Sequence, residues 1–204
     1  MTKKILWTLF ASLAIIIGLY PSVYFFLDRQ FGLLKDKDAE LLSNVFWNIT
    51  FYIHIVLGGI ALLIGWSQFS PKFREKKLNL HRQIGKIYVV ASLLSALTSL
   101  NIAYHATGGI ISQLGFTCLG VIWLITTWKA YSYILEKKVS QHKKMMILSY
   151  AACFAAVTLR LWLPILAYLY HDFLPAYRLV AWLCWVPNLL VALFIINRMN
   201  KELN

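Results

Sequence analysis

The chain has 204 residues, of which 60% are hydrophobic and 14% are charged, and its formal net charge is +12 at pH 7. A soluble domain usually has ~45–50% apolar and ~25% charged residues, so this composition excludes an ordinary soluble domain and indicates an integral membrane protein. Loops that face lipid headgroups explain the positive charge, which therefore does not indicate nucleic-acid binding.

Six apolar segments are long enough to cross a bilayer as helices, which takes roughly 20 apolar residues. They predict an all-α, six-helix membrane bundle that forms a single domain over residues 1–204. We expect spans two to five to form its core as two successive hairpins, with spans one and six outside that core. Pro164 and Pro187 are expected to bend spans five and six, because each removes a backbone donor. The predicted spans are Ile5–Leu27, Phe46–Phe69, Ile84–His105, Gln113–Leu135, Met145–Tyr168 and Tyr177–Asn197.

The loops alternate in charge along the chain. Ser70–Gln83 and Glu136–Lys144 are rich in Lys and Arg, as are both chain ends, whereas Ala106–Ser112 and Leu169–Ala176 carry almost none. Positively charged loops stay in the cytoplasm. The sequence therefore predicts that both termini and both basic loops are cytoplasmic, with the spans in the inner (plasma) membrane of the cell.

The two basic loops share a pattern. Glu75-Lys76-Lys77 precedes His81-Arg82 at the same spacing at which Glu136-Lys137-Lys138 precedes His142-Lys143. If this is an internal repeat, each hairpin delivers one histidine to the same membrane surface. Two neutral imidazoles on facing helices can hold a haem iron or part of a metal site. The alternative is that both histidines contact lipid phosphates beside their basic neighbours.

Ionisable residues inside a membrane are costly, so they are the first candidates for function. His54 lies about eight residues into span two, and Arg160 lies about eight residues from the outer end of span five, which predicts similar depths. The Arg160 guanidinium could clamp an anionic group, or it could be a strut bonded to carbonyls, Asn101 or Asn188. His105 lies at the outer end of span three, and Asn101 is one turn deeper and better placed to reach His54.

The remaining polar residues carry less weight. His171 falls in an outer loop and is expected to be solvated, and Cys118, Cys153 and Cys184 are expected to be small buried hydrophobes. No Asp or Glu lies inside a predicted span, which argues against a proton-coupled transporter with a carboxylate relay and against a membrane metalloprotease.

Several motifs together resemble a bacterial family of multi-spanning membrane proteins whose function is unknown. The resemblance covers about residues 46–164, and it implies an integral membrane protein without assigning an activity. The motifs are His54-x3-Gly58, Gln68-Phe69, His81-Arg82-x2-Gly85-x2-Tyr88, His142 followed by Met145 or Met146, and Ala155-Ala156-Val157-Thr158-Leu159-Arg160.

The histidine pattern also resembles that of the two-haem transmembrane cytochromes b, in which histidines near opposite membrane faces hold two haems. The resemblance implies that His81 and His142 form an inner axial pair and that His54 and His105 form an outer one. The second hairpin departs from this pattern, because Gly115 stands where a counterpart of His54 is expected.

The leading hypothesis is a membrane haem b protein, an oxidoreductase of the cytochrome b kind, that carries electrons across or within the bilayer. A quinone is a candidate redox partner, and membrane lipids surround the bundle. His81 and His142 are the preferred axial pair, His54 is a second ligand or a quinone contact, and Arg160 neutralises a haem propionate or an anionic substrate.

Two alternatives stay open. One is a cofactor-free transporter or small-molecule binding protein with Arg160 at the base of an outward pocket. The other is a membrane assembly factor whose histidines, His81, His142 and His54, hold copper or zinc transiently.

Overall fold

The computed structural model of the chain describes residues 2–27, 32–35 and 37–201. Helices make up most of these residues, and no β-strand occurs among them. The prediction of a single domain over residues 1–204 also includes positions 1, 28–31, 36 and 202–204, which lie outside the described residues. The chain divides into two compact units, residues 1–98 and residues 99–204.

The described part of the chain contains six helical stretches that are long and apolar enough to cross a membrane, which confirms the predicted number of spans. These stretches are Lys4–Phe25, Val45–Phe69, Leu78–Tyr104, Ile110–Leu135, Val139–Tyr170 and Phe173–Lys201. The α-helices within the described residues are α1 (Thr2–Leu19), α2 (Ala39–Ser43), α3 (Val45–Gly65), α4 (Pro71–Lys76), α5 (Leu78–Tyr104), α6 (Ile110–Leu135), α7 (Val139–Cys153), α8 (Ala155–Tyr170), α9 (Phe173–Leu183) and α10 (Val186–Lys201).

Two helices begin well before the apolar runs that predicted them. α5 begins at Leu78 rather than Ile84, and α7 begins at Val139 rather than Met145. The Lys, Arg and Gln residues of these first turns are good helix formers, so the helix continues into the basic loop although hydropathy falls there. Each helix begins three residues before the histidine of the repeated pattern, so the two sequence copies also share their local structure.

Span five is interrupted at a position that no proline marks. α7 ends at Cys153 and α8 begins at Ala155, so the break falls at Phe154, and α8 continues through Pro164. At the break, Val157 N–H donates to the Phe154 carbonyl at 2.9 Å, a spacing of three residues instead of four. The break in span five therefore lies at Phe154 and not at Pro164, where the sequence predicted a bend.

Span six is also interrupted, and here a proline does mark the position. α9 ends at Leu183 and α10 begins at Val186, one residue before Pro187. Pro187 has no N–H to donate to the carbonyl of Leu183, so a continuous α-helix would leave that carbonyl without its usual partner. The predicted irregularity in span six is thus found beside Pro187.

In the first unit, α1 packs closely against α3 through two glycines. A Cβ on Gly59 would lie 2.7 Å from the carbonyl oxygen of Gly18, and a Cβ on Gly18 would lie 2.6 Å from Leu63 Cγ. Span one is nevertheless the most exposed span, with 17% of its apolar window buried against 28–39% for the others. Small residues let helices approach closely in a membrane, where hydrophobic attraction between helices is lost.

In the second unit, α6 packs against both α7 and α9. Thr127 of α6 and Ser149 of α7 are fully buried, and their hydroxyl oxygens are 2.7 Å apart. A Cβ on Gly115 of α6 would lie 2.8 Å from the carbonyl oxygen of Ala181 in α9. This contact explains physically why Gly115 is not a histidine, and it shows that span six packs directly on span four. Span six is as buried as spans two and four, at 33%, and its place relative to the core of spans two to five stays a prediction.

These contacts predict which glycines tolerate a methyl group. We expect Gly59→Ala and Gly115→Ala to lower the free energy of unfolding by about 1–3 kcal/mol, because each new Cβ would overlap backbone atoms of a neighbouring helix. Gly85→Ala is the matched control, since its Cβ would meet nothing nearer than Gln68 Oε1 at 3.7 Å. Thermal unfolding of the three variants in one detergent measures the difference, and equal stability of all three would contradict the packing described.

Candidate functional site

His142 lies near the start of α7 and is held by the preceding helix. Its Nδ1 is 2.8 Å from the carbonyl oxygen of Ala130 in α6. A carbonyl oxygen only accepts hydrogen bonds, so Nδ1 carries the proton, and in the neutral ring Nε2 carries the lone pair. Histidines that bind metals commonly donate their other ring nitrogen to a carbonyl in this way, which fixes the tautomer and the ring orientation.

His54 has the same kind of arrangement in the first unit. Its Nδ1 lies 3.0 Å from the carbonyl oxygen and 3.1 Å from the hydroxyl oxygen of Ser95, which is fully buried in α5. The Ser95 hydroxyl in turn donates to the His54 carbonyl at 2.9 Å. Nδ1–H is therefore the donor here too, and Nε2 carries the lone pair of the neutral ring. Ser95 was not among the predicted site residues, and a contact between Asn101 and His54 stays a prediction.

His81 has different surroundings. Its ring lies edge-on to Phe73 of α4, with ring centroids 6.5 Å apart, and the side chain is half-buried. His81 belongs to the first unit and His142 to the second, so the inner axial pair stays a prediction.

The other polar candidates lie near the ends of helices or within α5. His105 directly follows α5, is half-buried and contacts Tyr104 edge-on at 5.1 Å between ring centroids. Asn101 is half-buried within α5. The outer pair of His54 and His105 stays a prediction, because these residues also belong to different units. His171 is exposed, which agrees with the expectation that it is solvated.

Arg160 lies in the middle of α8 and is half-buried. Its Nη1 donates to the carbonyl oxygen of Ala156, one turn earlier on the same helix, at 2.9 Å. This bond supports the prediction of a guanidinium bonded to backbone carbonyls, and a role as an anion clamp stays a prediction. Pro164 has no N–H, so the Arg160 carbonyl lacks the regular helical donor four residues later.

A hydrogen-bond network connects the breaks in spans five and six. The Asn188 side-chain amide donates to the Cys184 carbonyl at 2.9 Å, to Thr158 Oγ1 at 3.1 Å and to the Ala151 carbonyl at 3.3 Å. Thr158 Oγ1 also donates to the Cys184 carbonyl. Irregular backbone in a membrane needs such partners, because lipid offers none. Asn188 therefore stabilises α10 against α7 and α8 at the point where regular helix bonding stops.

Two of the sequence motifs meet in the first unit. Gln68 is buried, and its Oε1 lies beside Gly85 of α5, where an added Cβ would be 3.7 Å away. Among the residues that the structure describes, neither that Oε1 nor the hydroxyl of Ser92, two turns further along α5, has a hydrogen-bond partner. Neither residue was a predicted site residue, although Gln68 and Gly85 were both part of the motifs.

The prediction of a copper or zinc site receives no support. Among residues 2–27, 32–35 and 37–201, no group of three or more His, Cys, Asp or Glu side chains is placed to hold a metal ion. Cys153 and Cys184 are buried as expected, whereas Cys118 is only half-buried.

The second basic loop contains an ion pair at its surface. Lys138 Nζ lies 2.6 Å from Glu136 Oε2, and the hydrogen bond and negative charge of this carboxylate raise the pKa of Lys138. Lys138 therefore stays protonated at neutral pH. Both side chains are more than half exposed, so the pair contributes little to stability.

The six helical stretches of the described residues that are long and apolar enough to cross a membrane define a multi-spanning membrane protein. Residues 51–196 match the family DUF2306, described as "Predicted membrane protein", and the chain belongs to this family. The match agrees with the multi-spanning membrane family that the motifs indicated. No curated protein and no solved structure matches the chain.

The network around Asn188 makes a testable prediction. Asn188→Leu should lower the free energy of unfolding by about 1–2 kcal/mol, because it removes donors from carbonyl groups at the breaks. Asn197→Leu is the matched control, since Asn197 is exposed on the same helix. Unfolding in one detergent compares the two variants, and equal effects would mean that the network does not stabilise the breaks.

Proposed function

We propose that this chain is a haem b protein of the bacterial inner membrane that carries electrons across or within the bilayer, with His54 and His142 as iron ligands. One observation carries the proposal. In each unit a half-buried imidazole donates Nδ1–H to a backbone carbonyl, which places the lone pair of the neutral ring, the donor that a metal needs, on Nε2. His81 stays a candidate ligand on the sequence repeat alone.

The donor chemistry fits haem better than a closed metal site. Haem iron takes only axial ligands from the protein, and imidazole is a common one, so no cluster of three side chains is needed. When bound, haem would supply one-electron transfer. The carbonyls of Ala130 and Ser95 raise the basicity of the two imidazoles through their Nδ1–H bonds and keep the rings from rotating. In this proposal, Arg160 is the group that neutralises a haem propionate. A quinone is the candidate redox partner.

The proposed orientation follows the charges of the loops. Both termini and both basic loops are cytoplasmic, and spans two to five form two hairpins. Contacts in the first unit support the first hairpin. His54 in the middle of α3 meets Ser95 in the second half of α5, and Gln68 after the end of α3 lies beside Gly85 in the first half of α5.

The spectrum of the purified protein tests the ligand assignment. Protein from haem-replete cells should give a reduced-minus-oxidised difference spectrum of the b type. His142→Ala and His54→Ala should each lower the ratio of haem to protein by half or more, and added imidazole should restore part of it, because it can replace the missing ligand. The control is His171→Ala, since His171 is exposed in the loop before α9 and should keep full haem content. A colourless wild-type protein, or full haem content in both histidine variants, would contradict the proposal.

A second candidate function is a transporter or binding protein for small anions. The interruptions at Phe154 in span five and after Leu183 in span six favour it, because broken helices in transporters often line the substrate site. Arg160 lies less than two turns after the first break and is the candidate anion contact.

Ligand-dependent thermal stabilisation separates this candidate from the haem protein. A panel of mono- and dicarboxylates should stabilise the colourless protein, and Arg160→Gln should weaken the best carboxylate at least ten-fold. Arg198→Gln, near the end of α10, is the charge-matched control and should bind normally. If no carboxylate stabilises the wild-type protein, this candidate is excluded.

A further inference from the structure

An apolar groove runs along the first unit between α3 and α5. It has a volume of about 340 Å³ and opens at the surface of the helices. Five aliphatic side chains and one lysine line it: Leu57, Ile60, Ile87, Val90, Ala91 and Lys86.

The side chains of α5 give the groove its depth. Ala91 is buried, at 3% exposure, and its short side chain forms the floor. Ile87 and Val90 are 54% and 58% exposed and form the rim. Since α3 and α5 are membrane spans, the groove opens towards lipid, and its aliphatic side chains offer contacts to hydrocarbon.

The end of the groove nearest the basic loop is positively charged. Lys86 is exposed, and Arg82 lies one turn earlier on α5, so the two side chains share a face of the helix. Both follow residues 70–77, a segment that is itself rich in positive charge. The charged residues of that segment are Lys72, Arg74, Glu75, Lys76 and Lys77.

We propose that this groove is a binding site for one anionic phospholipid, with an acyl chain along the aliphatic lining and the phosphate at Lys86 and Arg82. The aliphatic lining fits a hydrocarbon chain, and two cations at one end fit the single negative charge of the headgroup. A zwitterionic lipid would bring its own cation towards these side chains, so the site should prefer an anionic headgroup. The proposal does not depend on haem binding.

Lipid binding to the purified full-length protein tests this site by native mass spectrometry. The probes are phosphatidylglycerol and phosphatidylcholine with identical acyl chains. Wild-type protein should retain phosphatidylglycerol preferentially. Lys86→Gln should weaken its binding by roughly five-fold, because one lysine near an anionic surface contributes ~1 kcal/mol, and should leave phosphatidylcholine unaffected. Val90→Trp should weaken both lipids, because the indole would fill the groove.

Two matched controls separate a specific site from general lipid adhesion. Lys129→Gln and Val121→Trp change exposed residues of α6 that lie outside the groove, and both should bind lipid as the wild type does. Lys86 and Val90 are exposed too, so neither test substitution removes a buried contact, and thermal melting checks each fold. The proposal is overturned if the wild type shows no preference for phosphatidylglycerol, or if the groove variants match their α6 controls.

Discussion

A hydrogen bond from an imidazole to a backbone carbonyl is the interaction on which the candidate site depends. Within a bilayer, water is not available to satisfy a ring N–H, so the protein must supply the acceptor. His142 uses the carbonyl of Ala130, and His54 uses that of Ser95. Helical carbonyls have a second lone pair, so each can accept this bond and keep its bond within the helix. The protonated nitrogen is thereby fixed as Nδ1 in both rings, and the two Nε2 atoms become the candidate ligands.

The same need for partners explains the irregular part of the second unit. Where α7 gives way to α8 and α9 to α10, backbone groups lose their regular bonds. Asn188 and Thr158 supply donors to the carbonyl of Cys184 at this place. Close contact at Gly115 brings α6 against α9 in the same unit. Polar side chains therefore stabilise the two helix breaks, and Gly115 lets α6 and α9 pack closely.

The sequence was sufficient for the number of spans, because each apolar run is long enough to identify a membrane helix. It was insufficient for the true start of α5 at Leu78, since hydropathy reports apolar character and not helix formation. The break at Phe154 was missed because neither proline nor glycine marks it. His54 was identified by its cost in a membrane, and His142 was identified by the pattern that the two basic loops share. The carbonyl groups that accept their Nδ1–H bonds were not predicted, because a backbone carbonyl has no signature in the sequence. The face of α5 on which Ser95 lies depends on packing.

The tautomers of the two histidines can be observed directly by solid-state NMR of protein labelled with nitrogen-15 at histidine, in lipid bilayers and without haem. Comparison with His54→Gln and His142→Gln variants assigns the signals. The structure predicts that both rings carry a proton on Nδ1, so that in the neutral form of each ring Nε2 is the unprotonated nitrogen. A proton on Nε2 and a bare Nδ1 in either ring would contradict the hydrogen bonds to Ser95 or Ala130 and remove the basis for assigning that histidine as a ligand.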